Sequence, residues 1–193
     1  DGQRQNWEVS GPHFAGWEMY HLKGSAADPN RIYASQTSGW FGQLIQRSDD
    51  GGKTWNRSLA ISENTGVTDI VMDPRDPDSM IAATYQRRRH VWTLINGGPE
   101  SALHKTTDGG KTWRKLGRGL PAGELGRIGL AFSPAKKGMV YARVEAAEGG
   151  GVFRSTDSGE SWEKRDSYAG LPMYYLNIVP DPNVADRVYL MDV

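Results

Sequence analysis

The chain has 193 residues, with 23 basic and 23 acidic side chains that cancel, a pI near 7.1 and a mean hydropathy of -0.62. That is one domain's worth of chain; no apolar run approaches the roughly 18 residues of a membrane span, and the balanced charge lacks the basic footprint of a nucleic-acid binder. The absence of cysteine excludes disulfides, thiolate metal sites and cysteine nucleophiles.

The sequence opens at Asp1 without Met or an apolar leader, so a targeting peptide is expected to have been removed or to lie outside it. Glycine (24) and tryptophan (7) are spread through a chain with almost no helical periodicity, which directs attention to internal repeats. In chain order, residues 6–10 read as a lone strand containing Trp7. Residues 17–60 form a unit that ends in Ser48-Asp49-Asp50-Gly51-Gly52-Lys53-Thr54-Trp55. Residues 67–117 end in Thr106-Thr107-Asp108-Gly109-Gly110-Lys111-Thr112-Trp113, and residues 127–167 in Ser155-Thr156-Asp157-Ser158-Gly159-Glu160-Ser161-Trp162. Residues 175–193 begin another unit.

The three boxes share the pattern [ST]-x-D-x-G-x-[ST]-W. Each unit also carries a proline turn (Asp28-Pro29, Asp76-Pro77, Ser133-Pro134, Asp181-Pro182) followed by a short strand-like run. Box tryptophan and next proline keep a nearly constant spacing, and Trp7 keeps it with Pro29, which places Trp7 in the position of a box tryptophan. The middle unit carries a surplus that falls in residues 87–101. Units of roughly 50 residues with four short strands each are the period of a β-propeller blade. The expected architecture is all-β: one closing D strand (6–10), blades at 17–60, 67–117 and 127–167, and strands A and B of a further blade (175–193). That is about three and a half to four blades, a partial propeller whose remaining blades are expected from a longer parent chain or another subunit.

In each box Asp50, Asp108 or Asp157 is expected to accept backbone N–H bonds, Gly52, Gly110 or Gly159 to supply a positive φ, and Trp55, Trp113 or Trp162 to pack between sheets. These are structural roles. A calcium loop is the alternative for Asp49-Asp50-Gly51, but an EF-hand needs a bidentate Glu at its twelfth position, which none of the boxes offers. No metal and no cofactor is expected. Because strands alternate in direction, the boxes and proline turns share one face and the B–C and D–A loops the other, where ligand sites usually sit. Those loops are 38–41, 87–101 and 146–151, then 11–16, 61–66, 119–126 and 168–175. They collect Trp40, Phe41, Trp92, Tyr168, Tyr174 and Tyr175 beside Arg87, Arg88, Arg89 and His90, with Glu124, Glu145 and Glu148 as loop carboxylates. Aromatics beside arginines suit a sugar, an acidic group or a protein partner. The bland reading stands beside each: a solvated arginine run, tryptophans folded onto their own blade, exposed glutamates. His21 and His104 read as ordinary strand residues.

The boxes resemble the Asp-box, or BNR repeat, of sialidases, xyloglucanase-type glycoside hydrolases and the sortilin (Vps10) propeller. The stretch 61–193, with Gly119-Leu120-Pro121, Gly126-Arg127-Ile128-Gly129, Val144-Glu145-Ala146 and Tyr174-Tyr175, resembles large bacterial exported proteins labelled glycosyl hydrolase or sortilin-like. Residues 11–55, with Gly16-Trp17-Glu18 and Gly39-Trp40-Phe41-Gly42-Gln43, are similar to a sialidase-like branch. The resemblance implies a propeller fold and an extracellular or periplasmic location. It does not assign catalytic residues: sialidases use an arginine triad spread over blades, whereas Arg87 to Arg89 are contiguous, and xyloglucanases place paired aspartates between two propellers. Two functions follow, a binding or scaffold module for glycan or protein on the loop face, and a glycoside hydrolase or part of one.

Overall fold

The computed structural model describes residues 9–38, 42–170 and 176–192. Most of the expected 6–10 strand, with Trp7, lies outside the described residues, as do Trp40, Phe41, Tyr174 and Tyr175. The described residues contain no helix and form antiparallel sheets. The first blade runs β1 (Glu18–Gly24), β2 (Ile32–Ser38), β3 (Gly42–Ser48) and β4 (Asn56–Ala60), in that order. The second contains β5 (Thr65–Asp73), β6 (Asp76–His90), β8 (Ala102–Thr106) and β9 (Arg114–Leu116), with β7 (Thr93–Asn96) paired only to the far end of β6. The third is β10 (Leu125–Phe132), β11 (Val140–Ala146), β12 (Gly151–Ser155) and β13 (Glu163–Asp166). Strands β14 (Ile178–Pro180) and β15 (Val188–Leu190) pair as a fourth sheet.

The second strand of each blade shows why these sheets stack radially. Successive side chains of a strand point to opposite faces. Met80 and Ala82 of β6 join Tyr33, Ile45, Leu59 and Ile70 in a core between the first and second blades. Ile81 and Ala83, one residue out of phase, join Val140, Ala142, Val144 and Phe153 in a core between the second and third. The pattern repeats at β11: Tyr141 and Met139, the residue just before the strand, face Ile178, with Val188 and Leu190 packed beside them, toward the fourth sheet. Strands buried on both faces and cores lying between sheets make this a β-propeller, of which the chain forms a part.

Each box closes the hairpin between the third and fourth strands of its blade. In the first, Thr54 N–H and Thr54 Oγ1 donate to the two oxygens of Asp50 at 2.9 and 2.6 Å, Ser48 Oγ donates to the same carboxylate at 2.8 Å, and Gly52 N–H donates back to Ser48 Oγ at 2.8 Å. Asp108 and Asp157 are held in the same way by Thr106 and Thr112, and by Ser155 and Ser161. These donors stabilise the ionised form. The Thr54 and Thr112 donors hold the Asp50 and Asp108 carboxyls well below the usual range. Around Asp157 burial opposes the shift, yet the Ser161 and Ser155 hydroxyls outweigh it and lower the carboxyl to about 2. Gly52, Gly110 and Gly159 lie at φ of 92°, 86° and 90°. The preceding position is also left-handed; the first two boxes place Gly51 and Gly109 there, but the third places Ser158 at φ 58°, a conformation that strains an L side chain.

The boxes also touch the turns between first and second strands: Gly51 N–H donates to Asn30 O, Gly109 N–H to Asp78 O and Ser158 N–H to Gly138 O, at 2.8 to 3.0 Å. Neighbouring blades are tied at this end. Tyr33 Oη and Arg47 Nη1 both donate to Gly109 O at 2.7 Å, Arg31 pairs with Asp78, and Lys105 and Arg114 of the second blade pair with Glu160 of the third.

Two segments differ from the sequence expectation. Residues 87–96 are not an irregular loop. Arg87, Arg88, Arg89 and His90 continue β6 and pair with Asn96, Ile95, Leu94 and Thr93 of β7, so the surplus is a two-stranded ribbon. Its first strand is wholly cationic and lacks the apolar alternation by which a strand is recognised. The segment 11–16 does not stand with the ribbon: the Phe14 ring meets Trp55 edge-on at 5.3 Å and His13 lies 6.5 Å from it, so this stretch caps the exposed side of the first box tryptophan.

Candidate functional site

At the end of the second and third blades away from the boxes, the β7 ribbon leans against the third blade. Gly98 N–H donates to Leu125 O at 3.0 Å, and Gly97 N–H returns to Gln86 O at 3.0 Å. Gly97 lies at φ 108°, and a Cβ there would stand 2.8 Å from Leu125 O, so only glycine permits this approach. The junction opens into a cleft of about 260 Å³ lined by Asn96, Gly97, Gly98, Glu124, Gly126 and Glu145, with Leu125, Ala146 and Ala147 completing the wall.

Glu145 is the fixed group of this cleft. Asn96 Nδ2 donates to its Oε1 at 2.8 Å, and Arg127 N–H donates to its Oε2 at 2.8 Å. The amide orientation of Asn96 follows from its other partner: Tyr85 Oη donates to Asn96 Oδ1, which leaves the amide nitrogen for the carboxylate. Burial pushes the Tyr85 hydroxyl above its ordinary range and the Glu145 charge adds to this, while Arg87 and Arg127 pull it down. Tyr85 therefore stays a donor at neutral pH, and a cation pair stands close to the Tyr85–Asn96–Glu145 chain. Gly126 completes the arrangement, since a Cβ there would collide with the Glu145 carboxylate. Glu124 is exposed at the cleft mouth.

Nearby, Glu100 accepts from Ser62 Oγ at 2.6 Å and from Thr65 Oγ1, and these hydroxyls hold its carboxyl below the usual range. A second polar cluster joins the third blade to the fourth sheet. Fully buried Arg143 donates through Nη1 to Met191 O at 3.1 Å and through Nη2 to Asp192 Oδ2 at 2.8 Å. The guanidinium lies 5.2 Å from the Tyr168 ring centre, and Tyr168 Oη donates to Asp192 Oδ2 at 2.7 Å.

Of the residues singled out from sequence, Glu124 and Glu145 meet in one cleft. Arg87 and Arg88 are exposed on the ribbon, with Arg88 bonded to Asn64 Oδ1, and Trp92 stands at its tip, 81% exposed. For Arg89 and His90 the strand register is described, and Trp40, Phe41, Tyr174 and Tyr175 fall outside the described residues. Glu148 is exposed, away from the cleft lining. His104 is a buried imidazole on β8, pushed down to about 4 by burial, with Lys115 adding to the shift. Sequence reasoning missed Tyr85, Asn96 and Arg143. Asn96 sat inside a stretch read as loop, and its pairing to Glu145 spans 49 residues. Among the described residues no group of three or more His, Cys, Asp or Glu side chains is placed to hold a metal ion, and no helix is long and apolar enough to cross a membrane.

The fold defines a class, a β-propeller in which the tryptophan-ended hairpins lie at one end of the sheets and the Glu145 cleft at the other. The chain belongs to the Sortilin-Vps10 family, whose model, described as sortilin, neurotensin receptor 3, matches residues 43–170. It is similar to the xyloglucanase of Hypocrea jecorina, 29% identical over 126 residues, covering 62% of this chain and 14% of the enzyme. It is also similar to the oligoxyloglucan-reducing end-specific xyloglucanase of Emericella nidulans, 26% identical over 180 residues, covering 88% of this chain and 20% of that protein. Among solved structures, an ancestral GH74 enzyme superposes with a TM-score of 0.63 at 17% identity, over 86% of this chain and 21% of its own; that likeness bears on the fold. The chain thus spans a fifth or less of the length of these curated relatives.

Proposed function

We propose that this chain is a glycan-recognition segment of an exported propeller protein, and that it binds carbohydrate through the Glu145 cleft. The observation that supports this most is the orientation of Glu145. Its carboxylate is held by Asn96 and by Arg127 N–H at the floor of a cleft walled by glycines and alanines, which leaves backbone and carboxylate acceptors facing a narrow slot. Hydroxyl-rich ligands match such an acceptor-lined slot, because each hydroxyl can donate to a fixed oxygen that is otherwise solvated. The kinship with xyloglucan-acting enzymes makes a xyloglucan oligosaccharide the first ligand to try. The boxes serve as scaffold, their carboxylates being fully used within their own turns.

A glycoside hydrolase is the second reading, favoured by the presence of two carboxylates, Glu124 and Glu145, in one cleft. A retaining or inverting glycosidase needs such a pair about 5 to 9.5 Å apart. One titration tests both. Calorimetry with xyloglucan oligosaccharide should show binding that Glu145→Gln weakens about tenfold, the loss of one charge-assisted contact of about 1.4 kcal/mol. Unchanged affinity in Glu145→Gln removes the cleft from the binding reading. Release of reducing sugar that Glu145→Gln abolishes would move the assignment to the hydrolase.

A further inference from the structure

The ribbon has a second property that the cleft does not use. Beyond Gln86, Arg87, Arg88 and all of β7 are exposed, and β7 pairs with β6 alone among the strands described. At its extremity Val91 is 101% and Trp92 81% exposed, and Leu94 and Ile95 behind them are 42% and 45% exposed. Isolated exposed apolar residues are ordinary, but four within five positions of a projecting hairpin form a patch of the kind that marks an interaction site. The same ribbon is cationic: residues 87–90 are three arginines and a histidine, and no acidic residue occurs from Arg87 to Pro99. Directly opposed residues of an antiparallel pair share a face, so Arg88 and Ile95 lie side by side, as do Arg87 and Asn96.

We propose that the β6–β7 ribbon is a docking arm for an anionic lipid surface, with Val91 and Trp92 entering the interface and Arg87 and Arg88 reaching the headgroup phosphates. The shape favours lipid over an acidic polypeptide. The apolar residues stand at the projecting tip of a hairpin, where Val91 and Trp92 are the most exposed, a shape that inserts into a soft surface rather than receiving an added strand. Tryptophan is suited to the boundary between headgroup and acyl chain. At about 3.4 Å per residue the arginines stand roughly 10 to 14 Å behind the tip, a depth their long stems bridge by snorkelling. Each cation near an anionic leaflet raises the partition about fivefold, and salt screens that gain. The inference does not depend on what the cleft binds.

The chain has no cysteine, so Val91→Cys provides a single site for an environment-sensitive fluorophore. With vesicles of phosphatidylcholine containing about one third phosphatidylglycerol, the label should shift to the blue and be quenched by lipids carrying a quencher on the acyl chain. Vesicles of phosphatidylcholine alone should leave it unchanged. In the protein without the label, Trp92→Ala should lower the vesicle-bound fraction about tenfold and Arg88→Gln about fivefold, with the urea midpoint preserved in Trp92→Ala as evidence of folding. The proposal is overturned if anionic vesicles do not bind, or if binding survives Trp92→Ala undiminished. It is also overturned if polyglutamate buries the label while vesicles do not, which would reassign the arm to an acidic protein segment.

Discussion

Trp162→Ala is expected to destabilise the chain by about 3 to 5 kcal/mol, the range for removing a large aromatic from a core. The ring is 6% exposed and belongs to the cluster between the second and third blades, together with Ile81, Leu116 and Phe153. Its backbone N–H donates to Arg118 O at 3.0 Å, so the substitution empties a cavity without cutting that tie. The other two box tryptophans provide the internal comparison. Trp113 and Trp55 are only partly buried, and Trp55 is covered by Phe14 and His13 rather than by a full sheet. Urea titrations should therefore rank the losses with Trp162 largest, with the slope unchanged if only stability alters. Equal losses at all three positions would mean that the turn, not the inter-blade packing, carries the effect.

Arg143→Ala should cost a similar 3 to 5 kcal/mol, for a different reason. The Arg143 side chain is wholly buried, and its partner Asp192 is largely so, at 0% and 16% exposure. Removing the guanidinium leaves a shielded carboxylate with Tyr168 as one remaining donor, and it frees Met191 O. Asp192→Asn should cost a comparable amount, because it leaves the wholly buried guanidinium without its counter-charge even though the amide oxygen can still accept from it. The double variant Arg143→Met with Asp192→Asn should recover part of the loss, because it removes both charges and keeps the volume. A double-mutant cycle with Arg143→Met and Asp192→Asn as its single variants, read by urea denaturation, checks this, and a coupling near zero would show that the buried arginine acts by packing alone.

Much of the fold was legible because a propeller writes its period into the sequence. The tryptophan-ended boxes recur with proline turns at near-constant spacing, and each box uses one set of local hydrogen bonds, so counting along the chain pointed to an all-β propeller. What repeats cannot encode is what departs from them. The strand Arg87 to His90 carries no apolar alternation, so nothing in its sequence separates it from a loop. The bond from Asn96 to Glu145 joins two blades, and Arg143 reads as one more strand residue until the fourth sheet brings Asp192 to it. That Glu124 lies in a loop was readable; that Glu145 stands on strand β11 rather than in a loop, oriented by a tyrosine and an asparagine from another blade, was not. The segment 11–16 shows the converse limit: the topological count put it among the loops, while the open side of Trp55 drew Phe14 onto the box.

The proposed function requires ligand recognition on the face opposite the boxes, at the junction of the second and third blades. Hydrogen exchange with and without saturating xyloglucan oligosaccharide tests it most directly, because exchange reports opening segment by segment. Slowed exchange is expected in residues 94–98, 124–127 and 145–147, with the box turns at 49–54, 107–112 and 156–161 unchanged. Protection concentrated in the box turns, or saturable binding that leaves all three cleft segments unprotected, would contradict the account.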